Sequence, residues 1–382
     1  MGTSNILLND EQRELAAIAA DIVKKELEPK VAELDKNGEF PMDVFHKLLD
    51  AGFYGMDIPE QYGGLGLDCT TQMGIFEEIS KVDAGFSFNF ALASGEFSIL
   101  EMGNVSESMK QYYADRILQG QICSFCLTES QAGSDAANIR TTAVKCGDEY
   151  VINGTKCFIT NGALADMFIV FAYTDKSKGT KGISAFLVEK ERGVKIGKTE
   201  DKMGLKLSIT SEVLFDNVHI PQDHLIGEEG KGFTYAMRAL EKGRITTMVH
   251  ALGIGQAAMN YALGYAKVRE TFGKPIIKHQ GLAFLLADMQ KRLDAARAML
   301  YYGAAAIDRG LSLGTLSPDI KIFVSETAMS VTTDAVQVMG GYGYMKDYPV
   351  EKLMRDAKVF SIFEGTNQIN LMVCAGILER QA

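Results

Sequence analysis

Tyr150-Val151-Ile152-Asn153-Gly154-Thr155-Lys156-Cys157-Phe158-Ile159 is the stretch on which the fold class turns. Two strand-forming runs flank an Asn-Gly pair. Asn-Gly suits the positive φ angles of a type I′ turn, so the stretch predicts a β-hairpin. Met167–Tyr173, Gly182–Val188 and Ser211–Ile220 follow as further strand-like runs, separated by turn residues such as Ser177-Lys178-Gly179. No helical pattern of about 10–15 residues lies between them, which excludes a βαβ array and predicts an antiparallel β domain.

Working outward, both flanks read as helical. After the cap signal Asn9-Asp10, apolar Leu15, Ile18, Ile22 and Leu27 recur at near-helical spacing until Pro29. Met42–Ala51, Thr70–Lys81 and Glu107–Leu118 continue the pattern, broken by the loop Glu60–Leu67 with its three glycines. Beyond Gly232 long helical stretches return: Gly232–Gly243, Ile245–Thr271, Gly281–Arg309 and Pro318–Met339. They predict an antiparallel bundle. The expected class is α+β, with a helical domain at residues 1–122, a middle β domain at 123–231 and a helical bundle at 232–382.

The chain has 382 residues, too many for one compact core. A hydrophobic fraction of 47% and a charged fraction of 23% exclude a wholly disordered chain. The net charge of -10 argues against a nucleic-acid or anionic-membrane binder, since both need a basic face. No apolar run approaches the ~20 residues that span a bilayer. Met1 to Asp10 has neither the basic nor the apolar region of a secretory signal, so a cytoplasmic or matrix-like location is expected. Cys123 and Cys126 form a lone C-x-x-C with no second pair and no histidine cluster, so no metal is expected. Gly253-Ile254-Gly255-Gln256-Ala257-Ala258 mimics a dinucleotide fingerprint, but it lies inside a helical run with no preceding strand. Its glycines are expected to permit close helix packing instead.

Three segments carry candidate chemistry. Phe125-Cys126-Leu127-Thr128-Glu129-Ser130-Gln131-Ala132-Gly133-Ser134-Asp135 runs from a strand into small and hydroxylated residues able to offer N–H and O–H groups. An ordinary turn fits the same residues equally well. Phe158-Ile159-Thr160-Asn161-Gly162 places an aromatic and a hydroxyl two residues apart on one side of a strand, and a purely structural strand end fits these residues equally well. In Ile362-Phe363-Glu364-Gly365-Thr366-Asn367-Gln368-Ile369 a carboxylate stands among apolar residues, where it is either partnered or kept for function. Arg355 and Lys358 lie near enough in sequence to pair with it.

Together with Arg269-Glu270-Thr271-Phe272-Gly273-Lys274-Pro275, His279-Gln280, Gln337-Val338-Met339-Gly340-Gly341-Tyr342-Gly343-Tyr344 and Met354-Arg355-Asp356-Ala357, these segments resemble the acyl-CoA dehydrogenase family over nearly the whole chain. The resemblance implies FAD held between the β domain and the C-terminal helices, usually in a homotetramer. It assigns Phe125, Leu127, Thr128, Gly133 and Ser134 to the flavin loop, with Thr128 near the ring and Ser134 near the CoA. Phe158, Ile159 and Thr160 would cover the ring and bond near its N5. Arg269, Thr271, Phe272, His279, Gln280, Gln337, Gly340 and Gly341 would hold the adenine half, partly of a neighbouring subunit's FAD, with Arg269 suited to the pyrophosphate. Thr366 and Gln368 would also meet FAD, and Ser134, Glu241, Arg244 and Gly365 would border the acyl-CoA. The family often has tryptophan at Phe158 and proline at Ser130; phenylalanine can still stack on a flavin.

By the same resemblance, Glu364 takes the α proton of a thioester while flavin N5 receives the β hydride. Some members carry the base just before the arginine equivalent to Arg244; here that residue is Gly243, which cannot ionise. An electron-transferring flavoprotein is the implied redox partner. A same-fold oxidase is typically longer, a non-catalytic scaffold would lack the base, and a nitroalkane oxidase-like member would use aspartate. The direction of reaction stays open between dehydrogenase and enoyl-CoA reductase. The run Glu241-Lys242-Gly243-Arg244-Ile245 looks like short-chain members. Phe86, Phe88 and Phe90 cluster where the family closes its acyl cavity, and Phe86 and Phe90 would share a helix face. A short acyl chain or a flat aryl group is therefore expected, although plain core aromatics would read the same way.

Overall fold

The structure is a computed structural model and describes residues 7–94 and 97–381. Of the leader-free start expected above, residues 1–6 lie outside the described residues. The helices described in the first third are α1 (Asp10–Glu26), α2 (Val31–Asn37), α3 (Met42–Asp50), α4 (Cys69–Val82), α5 (Ala84–Ser94), α6 (Phe97–Met102) and α7 (Glu107–Leu118). The Asn9 cap forms as expected: its side chain accepts from Gln12 N at 2.9 Å, and the Gln12 side chain accepts from Asn9 N at 2.9 Å. The buried face of α1 is Ala16, Ala19 and Val23, while Ile18 is 45% exposed. Small side chains let α1 approach α4 closely; of the apolar residues read from the spacing, Leu27 is buried and Leu15 and Ile22 pack against the core, and Ile18 alone is exposed.

The middle of the chain is one sheet. Its strands are β1 (Cys123–Cys126), β2 (Thr142–Cys146), β3 (Glu149–Thr160), β4 (Met167–Tyr173), β5 (Ile183–Glu189), β6 (Lys195–Thr199), β7 (Thr210–Pro221) and β8 (Leu225–Ile226). The order is β6-β7-β3-β2-β4-β5-β8, with β1 beside β4. The pairing is antiparallel except that β1 and one end of β2 run parallel to β4. β1 and β4 are not consecutive, so no hairpin constrains their direction.

The hairpin predicted at Asn153-Gly154 does not form. β3 runs straight through it as a single strand, paired with β7, and the register slips between Ile152 and Gly154 as a bulge. A Cβ on Gly154 would stand 2.3 Å from Thr141 Oγ1, so the glycine serves a close approach and not a turn. Asn153 Oδ1 instead accepts from Asn217 N across the bulge at 2.9 Å. The real hairpin lies upstream, where Gly147-Asp148 joins β2 to β3 and Gly147 has φ +64°.

The C-terminal helices are α8 (Gly232–Thr246), α9 (Met248–Val268), α10 (Gln280–Asp308), α11 (Leu316–Met339), α12 (Val350–Ala357) and α13 (Asn367–Gln381). The short ribbon β9 (Glu270–Thr271) and β10 (Lys274–Pro275) follows α9. The false fingerprint is helical. A Cβ on Gly253 would meet Ser80 Cβ on α4 at 2.4 Å, and one on Gly255 would meet Leu293 on α10 at 2.8 Å, so both glycines permit helix contact.

One buried cluster ties all three regions together. Lys352 Nζ on α12 donates to Asp83 Oδ2 at 2.6 Å and to Asp356 Oδ2 at 2.5 Å. Asp83 Oδ1 caps α5 by accepting from Phe86 N at 2.7 Å, and Asp356 Oδ1 accepts from Leu205 N at 2.6 Å. Leu205 belongs to the loop before β7 and has φ +46°. Burial opposes the Lys352 charge, but Asp356 and Asp83 outweigh it and hold its pKa above the usual lysine range. Lys352→Met leaves two buried carboxylates facing each other and is expected to cost about 3–5 kcal/mol. The triple change Asp83→Asn, Lys352→Met, Asp356→Asn should cost less, as measured by chemical denaturation.

Candidate functional site

Glu364 sits in a tight turn between the single-turn helix Lys358–Ser361 and α13. It adopts φ +56° and Gly365 φ +79°. Left-handed backbone at a non-glycine residue is strained and persists only where its surroundings hold it. Those surroundings are visible. Thr366 Oγ1 accepts from Ile369 N at 3.2 Å and caps α13. Asn370 Nδ2 donates to Gly365 O at 2.8 Å, and Asn367 Oδ1 accepts from Lys321 Nζ at 2.7 Å.

The Glu364 carboxylate makes no hydrogen bond among the described residues. Its Oε2 lies 3.3 Å from where a Cβ on Gly243 would stand, so glycine at 243 makes room for the carboxylate. The pairing with Arg355 or Lys358 allowed by the sequence is absent. Arg355 Nη2 binds Asp35 Oδ2 at 3.0 Å and its Nε binds Glu351 at 2.7 Å, while Lys358 Nζ reaches Ser361 Oγ at 3.5 Å. Burial raises Glu364 above the usual carboxylate range, and the charges of Arg244 and Lys321 offset this in part. Arg244 is half-buried, and its Nε is enclosed without a hydrogen-bond partner. Glu241, on the same helix, is half-buried and its backbone carbonyl accepts from Ser317 Oγ at 2.7 Å.

The phenylalanine cluster divides. Phe86 stacks on Phe40 at 5.4 Å, and Phe90 packs on Phe45 at 5.5 Å and Tyr54 at 5.4 Å, so both belong to the N-terminal core. Phe88 points the other way, with its ring 4.9 Å from Phe363 and 5.6 Å from His250. Phe360 meets Phe363 edge-on at 5.0 Å. Spacing of four brings Phe86 and Phe90 together on one helix face, as expected. The face turned toward Glu364 is the opposite one. His250 is buried, with Nδ1 2.9 Å from Ser80 Oγ and 3.1 Å from Ser87 Oγ. Burial lowers its pKa to about 3, so the ring is neutral.

The second element is the end of β3. A register shift between Lys156 and Ile159 sets Phe158 at φ +57°, with 64% of its surface exposed. Phe158 and Thr160 are therefore not in simple strand alternation. Leu127 and Ile159 are buried. Gly133 and Ser134 are exposed, and Phe125 packs on Phe171 at 4.9 Å. The loop is clasped to β3: Lys156 Nζ donates to Leu127 O at 3.0 Å and Glu129 Oε1 at 2.8 Å, and Cys157 N donates to Thr128 O at 2.9 Å. Burial opposes the Glu129 charge, but Lys156 and the Thr141 and Arg140 hydrogen bonds lower its pKa to about 2. Asn161 Nδ2 donates to Asn89 O at 3.0 Å. Thr160 is thus joined through Asn161 and Asn89 to Phe88, and through Phe88 to Phe363 and Glu364.

A third group makes its own groove of about 470 Å³, lined by Tyr265, Arg269, Thr271, Gly340, Gly341 and Tyr342 among others. Glu364, Phe158 and Thr128 do not line it. The Arg269 guanidinium lies 6.0 Å over the Tyr342 ring. Thr271 Oγ1 is 3.1 Å from His279 Nε2, and Phe272 stands 96% exposed at φ +52°. Gln280, Gln337 and Gln368 are exposed. The structure therefore separates the expected FAD residues into two groups.

The residues suit FAD on what is present. Phe158 offers an uncovered ring, and the half-buried Thr128 and Thr160 hydroxyls make no hydrogen bond among the described residues. An uncovered ring beside free hydroxyls fits a planar heterocycle with polar edges. The second groove offers a guanidinium and glycines to a phosphate-bearing half. Among the described residues no group of His, Cys, Asp and Glu is arranged for a metal. Cys123 and Cys126 are buried and form no disulfide; three positions apart on β1, their side chains project to opposite faces. Sequence reading missed His250, Phe360 and Lys321, and read Gly243 only as a residue that cannot ionise. Lys321 carried the same signal as Glu364, one charge inside the apolar run Ile320-Lys321-Ile322-Phe323-Val324.

Comparison with known proteins agrees along the whole chain. The acyl-CoA dehydrogenase N-terminal, middle and C-terminal domain families match residues 9–121, 124–218 and 230–378 in order. A short-chain-specific acyl-CoA dehydrogenase of Clostridium acetobutylicum is 41% identical over 98% of this chain and 99% of its own. A 3-(aryl)acrylate reductase of Clostridium sporogenes is 42% identical over 96% and 98%. A chain from structural work on the electron transferring flavoprotein of Acidaminococcus fermentans superposes with TM-score 0.95 and 44% identity, covering 98% of this chain and 99% of that one. With three domains matched in order, a shared architecture and these identities, the chain belongs to the acyl-CoA dehydrogenase family of FAD-dependent oxidoreductases.

Proposed function

We propose that this enzyme removes the α proton and β hydride of a short-chain or compact acyl-CoA, or runs the reverse reduction of the enoyl-CoA, with Glu364 as its base. The observation that carries the reading is a carboxylate without a hydrogen-bond partner, held in a strained turn against Gly243 and bordered by aromatic rings. An apolar surround strengthens a carboxylate as a base, because it disfavours the charge that proton transfer removes. Backbone N–H groups at the turn would donate to the thioester oxygen and stabilise the enolate-like transition state. Phe158 and Thr160 would orient the ring, and the Thr128 loop would hold it from the other side. FAD, when bound, supplies the hydride acceptor; the protein contributes placement, a fixed field and exclusion of water.

Phe88, Phe360, Phe363 and neutral His250 support a closed far wall. A short chain ends before it, and a flat aryl group stacks on it. The aryl alternative gains weight from the 3-(aryl)acrylate reductase among the relatives. An electron-transferring flavoprotein is the proposed redox partner, favoured by the structural neighbour from that context. A homotetramer would cover Phe272 and bring the second groove to a neighbour's FAD. Among the described residues no disulfide joins the cysteines, which fits the reducing cytoplasm proposed as its location.

Glu364→Gln keeps the shape without the proton acceptor. FAD should stay bound, while anaerobic flavin bleaching by the best acyl-CoA slows by several orders of magnitude; rapid bleaching would remove Glu364 from the mechanism. Arg269→Ala should lower FAD content and loosen the oligomer together, read by absorbance and by sedimentation. Full flavin occupancy in a monomer would overturn the shared site. Each buried methylene is worth roughly 0.8 kcal/mol, which a blocked cavity forfeits. Butyryl-CoA or an arylpropionyl-CoA should therefore bleach the flavin far better than palmitoyl-CoA, and Phe88→Ala should narrow that gap.

A further inference from the structure

Lys321 lies on α11 and is wholly enclosed. A buried ammonium is costly unless an anion meets it. Its hydrogen-bond partner is the neutral amide of Asn367, at 2.7 Å from Nζ to Oδ1, and among the described residues no carboxylate lies within ion-pair distance. The charges that act on it are Glu364 from the turn, Arg244 from α8 and Glu326 from its own helix. Glu241 on α8 acts on Arg244, as does Cys374 on α13, whose Sγ donates to Asp319 Oδ1 at 3.1 Å. Glu326 Oε1 is engaged at 3.4 Å by Asn367 Nδ2, which also donates to Ser325 Oγ at 3.2 Å. Asn367 opens α13, three residues after Glu364.

We propose that Lys321 is a positioning residue for Glu364: through Asn367 it anchors the turn that carries the carboxylate, and its enclosed charge keeps that carboxylate ionised within an apolar cleft. Arg244 is the other cation near Glu364, and its charge acts on the carboxylate at least as strongly, but among the described residues only Lys321 is also hydrogen-bonded to the residues that follow Glu364, through Asn367. Burial lowers the Lys321 pKa to about 8, with Glu364 pulling it back up and Arg244 pushing it further down. The ammonium is charged below that pH and the carboxylate is charged above its own raised pKa. Between these limits each stabilises the other, at a separation that leaves the carboxylate free of any direct hydrogen bond. A lysine in direct contact would compete with the substrate's proton; one held back on Asn367 does not.

The inference rests on the reading of Glu364 as the base, and its test separates the two. In the holoenzyme, the infrared carboxyl band that disappears in Glu364→Gln reports the ionisation of Glu364 whatever its role in turnover. Lys321→Met should raise the midpoint of that band by about one pH unit or more, a tenfold change in ionised against protonated carboxyl. Lys321→Arg should bring it back toward the parent value. An unmoved midpoint in the folded Met variant overturns the proposal. Should that variant not fold, Lys321→Gln, uncharged but able to bond Asn367, carries the same test with the same outcomes. The acid limb of flavin reduction by butyryl-CoA is then measured on the same variants. A midpoint that moves while this limb stays put would leave Lys321 in control of the carboxylate and remove Glu364 as the base.

Discussion

A single buried ammonium, that of Lys352, stands where three parts of the chain meet, and the geometry of the site depends on it. Asp83 closes α4 and opens α5; Asp356 ends α12 and receives the Leu205 amide from the sheet. α5 carries Asn89 and Phe88, and α12 leads directly into the Glu364 turn. A shift in this cluster would move the cleft's aromatic wall relative to its carboxylate. The interior there admits little slack: a Cβ on Gly204 would lie 2.6 Å from the Arg355 carbonyl group.

The site follows the same logic at smaller scale. Groups that must stay free are held indirectly. Among the described residues the Glu364 carboxylate has no hydrogen bond, yet the residues after it are bound through Thr366, Asn367 and Asn370. Phe158 is uncovered, yet Lys156 and Glu129 clamp the strand and loop on either side. Such an arrangement places its hydrogen bonds on supporting residues and leaves Glu364 and Phe158 open.

Much of the fold was legible in the chain. Helical spacing marked α1, α3, α4 and α7 to α11 but singled out no stretch for α12 or α13, and the absence of helices between strands identified the β domain. Asn153-Gly154 misled because the dipeptide that favours a turn also tolerates a bulge. The choice was made by Thr141, whose backbone approaches Gly154 closely, and by the long pairing of β3 with β7. The phenylalanines of α5 show a similar division. Periodicity grouped Phe86 with Phe90, but only the packed neighbours determine which face meets the core and which meets the cleft.

By itself the sequence determined most element types, the α, β, α order and, through long matching motifs, the family. These depend on local propensity and on residue identity, both written along the chain. Only the tertiary structure decided that Gly243 makes room for Glu364, that Phe88 and not Phe86 faces it, and that Arg355 pairs elsewhere. It also brought Lys321 to the turn. Each of these is a contact between residues far apart in sequence, and a pairing of that kind is set by the packing of whole helices against one another, which spacing along a single helix does not encode.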